Sequence, residues 1–187
     1  MERAKQNGYK KILLNAPSGS DSAKAFLNKQ GTEYAFSEHQ MEWQEGSLEE
    51  ADGVTLRLAQ AEDLDMRIRI SVEAFGTKEE DAKAMESRID GNVGTNMLMI
   101  EVNEETVGKI RVALEDGQAW IYGFSILPEQ QGKGIGRKVL RRVIKDQSSA
   151  GYSIHLEVET KNDHALGLYE SVGFKSIHTQ DYYTYQL

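Results

Sequence analysis

A chain of 187 residues, 39% hydrophobic and 28% charged, is long enough for one ordinary domain, or for one domain plus a fragment. Its formal net charge of −8 argues against a general nucleic-acid binder and fits a cationic or amine partner better. Without cysteine there is no disulfide, thiolate nucleophile or Cys-ligated zinc, and no apolar run approaches the roughly 20 residues that a membrane helix needs.

At the start, Met1–Asn7 lacks the apolar core of a signal peptide, so a cytoplasmic location is expected. The first fifty residues contain a partial repeat of the C-terminal end. Gly8-Tyr9 and Ile12-Leu13-Leu14 parallel Gly151-Tyr152 and Ile154-His155-Leu156. Asp21–Leu27 lies on Asp163–Tyr169, Gly31 on Gly173, and Gln40–Trp43 on Tyr182–Tyr185. The copy holds only the second half of the unit, with Leu14 in the place of Glu157 and Leu27 in that of Tyr169. A half-sheet leaves unpaired strand edges. Residues 1–50 should therefore pair either with the chain's own sheet or with a second copy in a homodimer.

From Val54 the elements follow in order. Val54–Leu58 alternates as a strand, and Glu62–Phe75 has helical apolar spacing at Leu64, Ile68, Val72 and Phe75, with Gly76 as its stop. Thr77-Lys78-Glu79-Glu80 reads as a capping box opening a helix to about Ile89. Strands are predicted at Met97–Val102, Val107–Leu114 and Ala119–Leu127, separated by hairpin turns. A glycine loop and a helix to Ala150 come next, then a strand Tyr152–Thr160 and a short helix Ala165–Val172. Two last strands are expected at Phe174–His178 and Tyr182–Gln186. Hairpins followed by one helical crossover describe a mixed sheet with helices on both sides. Met97 and Met99 read as core, and the four histidines show no metal-ligand spacing, so no metal is expected.

The loop Gln131-Gly132-Lys133-Gly134-Ile135-Gly136 joins a strand to a helix. Alternating glycines let backbone N–H groups turn inward, and the helix start adds free donors and a positive dipole end, which together cradle an anion. Lys133, Arg137, Lys138, Arg141, Arg142 and Lys145 concentrate positive charge there, although Arg142 and Lys145 fit a solvated helix face. A P-loop fails because Gly134 follows Lys133. The Gly-x-Gly-x-Gly spacing and the preceding hairpins also depart from a dinucleotide fold.

The loop fits the pattern Gln/Arg-x-x-Gly-x-Gly/Ala. A second pattern, Asn162-x-x-Ala165-x-x-Leu168-Tyr169-Glu170-x-x-Gly173-Phe174, follows one helix and one strand later. With both, the chain resembles the GNAT superfamily of acetyl-CoA-dependent N-acyltransferases. The resemblance implies an α/β (α+β) fold with a mixed, mostly antiparallel twisted sheet flanked by helices. It makes residues 51–187 a complete catalytic domain and residues 1–50 the C-terminal half of a degenerate one. The run from Leu156 to Phe174 is similar to the ribosomal-protein alanine N-acetyltransferases, in which a strand glutamate is the base and a later tyrosine the acid; Glu157 and Tyr169 keep that spacing.

By this resemblance Ile126 and Leu127 pair with the pantetheine arm of acetyl-CoA through their backbone. Gln131, Gly132, Lys133, Gly134, Ile135, Gly136 and Arg137 hold its pyrophosphate, and Asn162 orients the pantetheine end. Glu157 takes a proton from a small-molecule or peptide amine, and Tyr169 protonates the leaving thiolate. Blander readings stand beside each: Glu157 as a solvated strand edge, Tyr169 as a core aromatic, Asn162 as a helix N-cap. Tyr122 faces the acceptor or fills the core. A GNAT-like module that binds coenzyme without catalysis is the alternative function.

Overall fold

The computed structural model describes residues 2–46, 52–89 and 95–187, so the domain boundary expected between residues 50 and 51 lies outside the described residues. The chain divides into two compact units, Trp43–Leu156 and Met1–Glu42 with Glu157–Leu187. No helix among the described residues is long and apolar enough to cross a membrane.

In the unit Trp43–Leu156, strand β3 (Thr55–Leu58) leads through a 3-10 turn (Ala61–Asp63) into helices α3 (Leu64–Phe75) and α4 (Glu79–Ile89). The turn stands where a helix start was expected. Asp63 accepts from the Gln60 amide at 2.7 Å and holds Arg57 with both carboxylate oxygens, which fixes the tighter winding. Gly76 ends α3 in the left-handed region at φ 64°, as its position predicts. α4 opens one residue later than a Thr77 cap implies, since its first bond runs from Ala82 N to the Lys78 carbonyl.

Strands β4 (Thr95–Val102), β5 (Glu105–Glu115) and β6 (Gln118–Ile126) form two successive hairpins. Both turn on two residues with positive φ, Asn103-Glu104 and Asp116-Gly117, the geometry that matches strand twist. Helix α5 (Ile135–Ser149) buries Val139, Leu140, Val143 and Ile144 and crosses over to β7 (Ser153–Glu159), which pairs parallel with β6. Strand order in this unit is β7-β6-β5-β4-β3, and every pair except β6–β7 is antiparallel. Met97 and Met99 are both buried, as expected.

Beneath α3 and α4 lies a charged cluster without a local sequence signal. Glu86 of α4 accepts from Arg67 Nε and from Ser71 Oγ, each at 3.0 Å, and from Lys109 Nζ of β5. Lys109 also donates to Ser71 at 2.7 Å. All four side chains are buried, and burial pushes the Lys109 ammonium below its ordinary pKa despite the Glu86 carboxylate.

In the other unit, α1 (Glu2–Gln6), β1 (Lys11–Pro17), α2 (Asp21–Lys29) and β2 (Glu33–Trp43) precede the end of β7, α6 (Asp163–Ser171) and β8 (Phe174–Gln186). β1 pairs antiparallel with β8, from Lys11↔Gln186 to Pro17↔Gln180, and β2 lies on the other edge of β8. The N-terminal strand edges are thus partnered within the chain, the first of the two expected outcomes. The two expected last strands are one strand of 13 residues. Thr179-Gln180-Asp181 has no glycine or proline to turn it. Pairing carries through the segment, with Thr179 O accepting from Ser18 N and Asp181 held by Ser37 Oγ and Lys24 Nζ.

The repeat noticed in the sequence has matching local structure. Ser20 caps α2 by accepting from Ala23 N, and Asn162 caps α6 by accepting from Ala165 N. Each nine-residue helix is followed by a positive-φ glycine, Gly31 at 73° and Gly173 at 105°, and then a strand.

Candidate active site

In the unit Trp43–Leu156 the coenzyme-type residues cluster at the end of β6. Parallel pairing with β7 covers only Gln118–Ile121 against Ser153–Leu156. It stops where β6 bulges: Tyr122 and Ser125 oppose Arg111 and Lys109, so Gly123 and Phe124 together face the single residue Ile110. Gly123, at φ 54°, supplies a backbone conformation that other residues rarely adopt. The bulge bends β6 and leaves its last residues paired with β5 alone among the described residues.

That end has a defined polarity. Leu127 N donates to Val107 O at 2.9 Å and Leu127 O accepts from Gln130 N at 2.8 Å, so Leu127 has no spare donor for a ligand. By ladder alternation the N–H and C=O of Ile126 point away from β5. The Ile126 carbonyl accepts from Gln131 Nε2 at 2.9 Å. Of the two residues expected to meet the pantetheine, Ile126 is the one whose backbone N–H faces outward.

Gly108 sits opposite Ile126, and a Cβ there would overlap the Ser125 carbonyl oxygen and crowd Ile126 Cα at 3.1 Å. Gly108→Ala should push β6 outward, costing about 1–3 kcal/mol. Urea midpoints of the two proteins will measure the loss.

The loop follows a 3-10 turn at Pro128–Gln130. Gly132 and Gly134 have φ of 74° and 77°, and a Cβ on either would meet nothing within 4 Å. Their backbone conformation is thus the reason for glycine here, since steric space is ample. Gly134 is the N-cap of α5 and provides no side-chain cap. The helix ladder starts with Lys138 N to Gly134 O, so the amides of Ile135 and Gly136 precede the first intrahelical bond. Lys133 reaches Gln130 Oε1 at 2.9 Å and lies with Arg137 on an exposed basic rim. Uncapped amides, a helix dipole and two cations on one exposed loop fit a polyphosphate. Arg142 pairs with Asp146 at 3.1 Å, the solvated-face role. Tyr122 is half-buried, with Arg111 4.6 Å above its ring and Trp120 stacked at 6.2 Å.

The acid–base candidates belong to the other unit. Glu157 is exposed on β7 beside buried Val158. Partial desolvation, and then the neighbouring Glu38 carboxylate, raise its pKa above the ordinary 4.5. The Tyr169 ring is buried against Phe174, centroids 6.0 Å apart at 65°, and burial pushes its hydroxyl up to about 12. Asn162 uses Oδ1 to cap α6 at 3.1 Å, which leaves its side-chain NH2 as the group for any ligand.

Two residues missed in the sequence stand with Glu157. Tyr182 lies near Glu38 and Glu157, and burial first, then those carboxylates, push its hydroxyl up to about 12. Phe36 stacks on Tyr182 at 4.7 Å and 18°. Their only sequence signal was the alternation of β2 and β8, which gives faces without giving neighbours.

Comparison with known proteins adds three findings. A family model described as an acetyltransferase (GNAT) domain matches residues 52–184. The N-alpha-acetyltransferase RimI of Mycobacterium tuberculosis is 42% identical over 57 residues, covering 30% of this chain and 35% of that protein, so the match spans about a third of that relative. Among solved structures, a GNAT-family acetyltransferase from Colwellia psychrerythraea superposes with a TM-score of 0.68 at 15% identity, covering 98% of this chain and 70% of that one. A spermidine N-acetyltransferase from Vibrio cholerae in complex with CoA and spermine gives 0.54 at 15%, covering 72% and 95%. At these identities the two structures speak for the fold.

Proposed function

From the premise that this chain belongs to the GNAT acetyltransferase domain family, we propose that it transfers an acetyl group from acetyl-CoA to a primary amine, directly and without a covalent enzyme intermediate. The observation that carries the reading is the loop: two positive-φ glycines leading into an uncapped helix start, beside the outward-facing backbone of Ile126.

Gln131–Gly136 would hold the pyrophosphate through backbone amides, with Lys133 and Arg137 adding charge. The Ile126 N–H would meet the thioester carbonyl, and the Asn162 NH2 the pantetheine end. Acetyl-CoA, when bound, supplies an activated acetyl group. Glu157 takes the proton that an ammonium must lose before its nitrogen has a lone pair, and its raised pKa improves it as a base. Tyr169 holds a donatable proton on its phenol oxygen and keeps it up to about pH 12.

The acceptor class follows from charge. A net charge of −8 and the Glu38–Glu157 pair favour a cationic amine, the class to which the spermidine and spermine named for the Vibrio cholerae structure belong. A cytoplasmic location completes the proposal. Because β1 and β8 pair within the chain, their contact needs no exchange with a second copy.

Glu157→Gln should lower kcat by roughly 10²-fold or more while leaving the acetyl-CoA Kd unchanged. In the wild type, kcat/KM should fall as pH drops through the Glu157 pKa, at a pH above the ordinary 4.5, because protonation removes the base. Calorimetry with acetyl-CoA and a turnover screen over amines, amino acids and peptides tests the whole reading. No binding at millimolar acetyl-CoA would end it, and binding without turnover of any amine would favour a silent coenzyme-binding module.

A further inference from the structure

Charge and register in the unit Met1–Glu42 with Glu157–Leu187 bring a residue of the N-terminal segment to the candidate base. Ser37 of β2 donates to Asp181 of β8 at 2.6 Å, and Asp181 pairs with Lys24 of α2 at 3.0 Å. Ala16, Leu27 and Tyr183 cluster in the core beside this contact. That face of β1, β8 and β2 is therefore the one covered by α2. Strand alternation sends Glu38, Tyr182 and Asn15 to the opposite face. Asn15 and Tyr182 are direct partners in the β1–β8 register, and Phe36 stacks on Tyr182. Thr160 N donates to Ser37 O at 2.9 Å, holding β2 alongside the end of β7 that carries Glu157.

We propose that Glu38 is a positioning residue for Glu157: carried by β2 alongside the end of β7, it sets a second carboxylate next to the candidate base, where a cationic amine gives up its proton. This deepens, and rests on, the reading of Glu157 as base. The groups facing the pair are Tyr182 from β8, Asn15 from β1 beside Tyr182, and Glu159 on the same side of β7. Among them Glu38 is the one whose charge bears on Glu157, raising its proton affinity after desolvation. Protons balance simply: the ammonium loses one to Glu157, and its nitrogen becomes the nucleophile. Glu38 is not consumed in the step. The chain's N-terminal segment, which has Leu27 in the place of Tyr169, would then serve the reaction through this single side chain.

The test uses the full chain labelled with ¹³C-glutamate, with the Glu157 carboxyl resonance identified by its loss in Glu157→Gln. In Glu38→Gln the titration midpoint of Glu157 should fall toward the ordinary 4.5, while Glu38→Asp should keep it near the wild-type value. With 1,4-diaminobutane as acceptor, the acid limb of kcat/KM should move down with it, and kcat/KM at pH 7 should drop roughly tenfold, a fraction of what a general base supplies. An unmoved Glu157 midpoint in a folded Glu38→Gln protein would overturn the proposal, as would a moved midpoint with an unmoved acid limb. A wild type that acetylates no amine would instead overturn the parent reading and remove this role with it.

Discussion

Tyr169→Phe will lower kcat by about 10²- to 10³-fold and leave both the fold and the acetyl-CoA Kd as they are. Phenylalanine keeps the ring that packs on Phe174, so the buried apolar surface of α6 is retained and the melting temperature should shift little. What disappears is one hydroxyl with a pKa pushed to about 12 by burial. An acid that reluctant to ionise remains protonated across the working pH range, so in the wild type Tyr169 produces no alkaline fall in rate below about 12. Single-turnover kinetics with a saturating amine will separate loss of the acid from slow product release. A Tyr169→Phe protein with unchanged single-turnover rate would leave Tyr169 as a core aromatic only.

Glu86→Ala will have the largest effect on stability. The carboxylate is fully buried and is the only anion among Arg67, Ser71 and Lys109, so its removal leaves two cations facing each other away from water. Breaking a buried ion pair from one side typically costs ~3–5 kcal/mol, a large part of the ~5–15 kcal/mol that holds an ordinary domain together. Chemical denaturation should therefore show an early transition of the α3–α4 region or outright loss of the fold. Pairing the change with Lys109→Met should recover part of the loss, because one stranded charge is then gone. A Glu86→Ala protein within 1 kcal/mol of wild type would mean that water enters and solvates the cluster.

Much of this molecule was readable before its structure. Periodicity placed strands β3 to β7 and helices α3 to α6 within a few residues, because each buries one face and its apolar spacing is set by local geometry. Gly76 and Gly151 marked helix ends for the same local reason. The Arg67–Ser71–Glu86–Lys109 cluster was unreadable: its members come from three elements, and on a helix an isolated charge reads as solvent-facing. The single long β8 was missed because strand continuity there depends on β1 and β2 flanking it, which no window along Phe174–Gln186 contains. Within the candidate site, the glycine loop and Glu157 were visible from motif spacing. Glu38 was hidden, since the alignment of the two repeats compares corresponding positions and says nothing about which strands become neighbours.

Gly108 and Lys109 are consecutive residues of β5, and successive side chains point to opposite faces of a sheet. The first has no room for a Cβ beneath Ser125 and Ile126, and the second reaches Ser71 and Glu86 under the helices. A one-residue slip of β5 would bring Lys109 or Val107, depending on its direction, against the Ser125 carbonyl, and would leave Glu86 facing Ile110 or Gly108 in place of the lysine. This dipeptide thus acts as a phase marker for the sheet, so insertions or deletions in β5 should be far less tolerated than substitutions at most of its other positions.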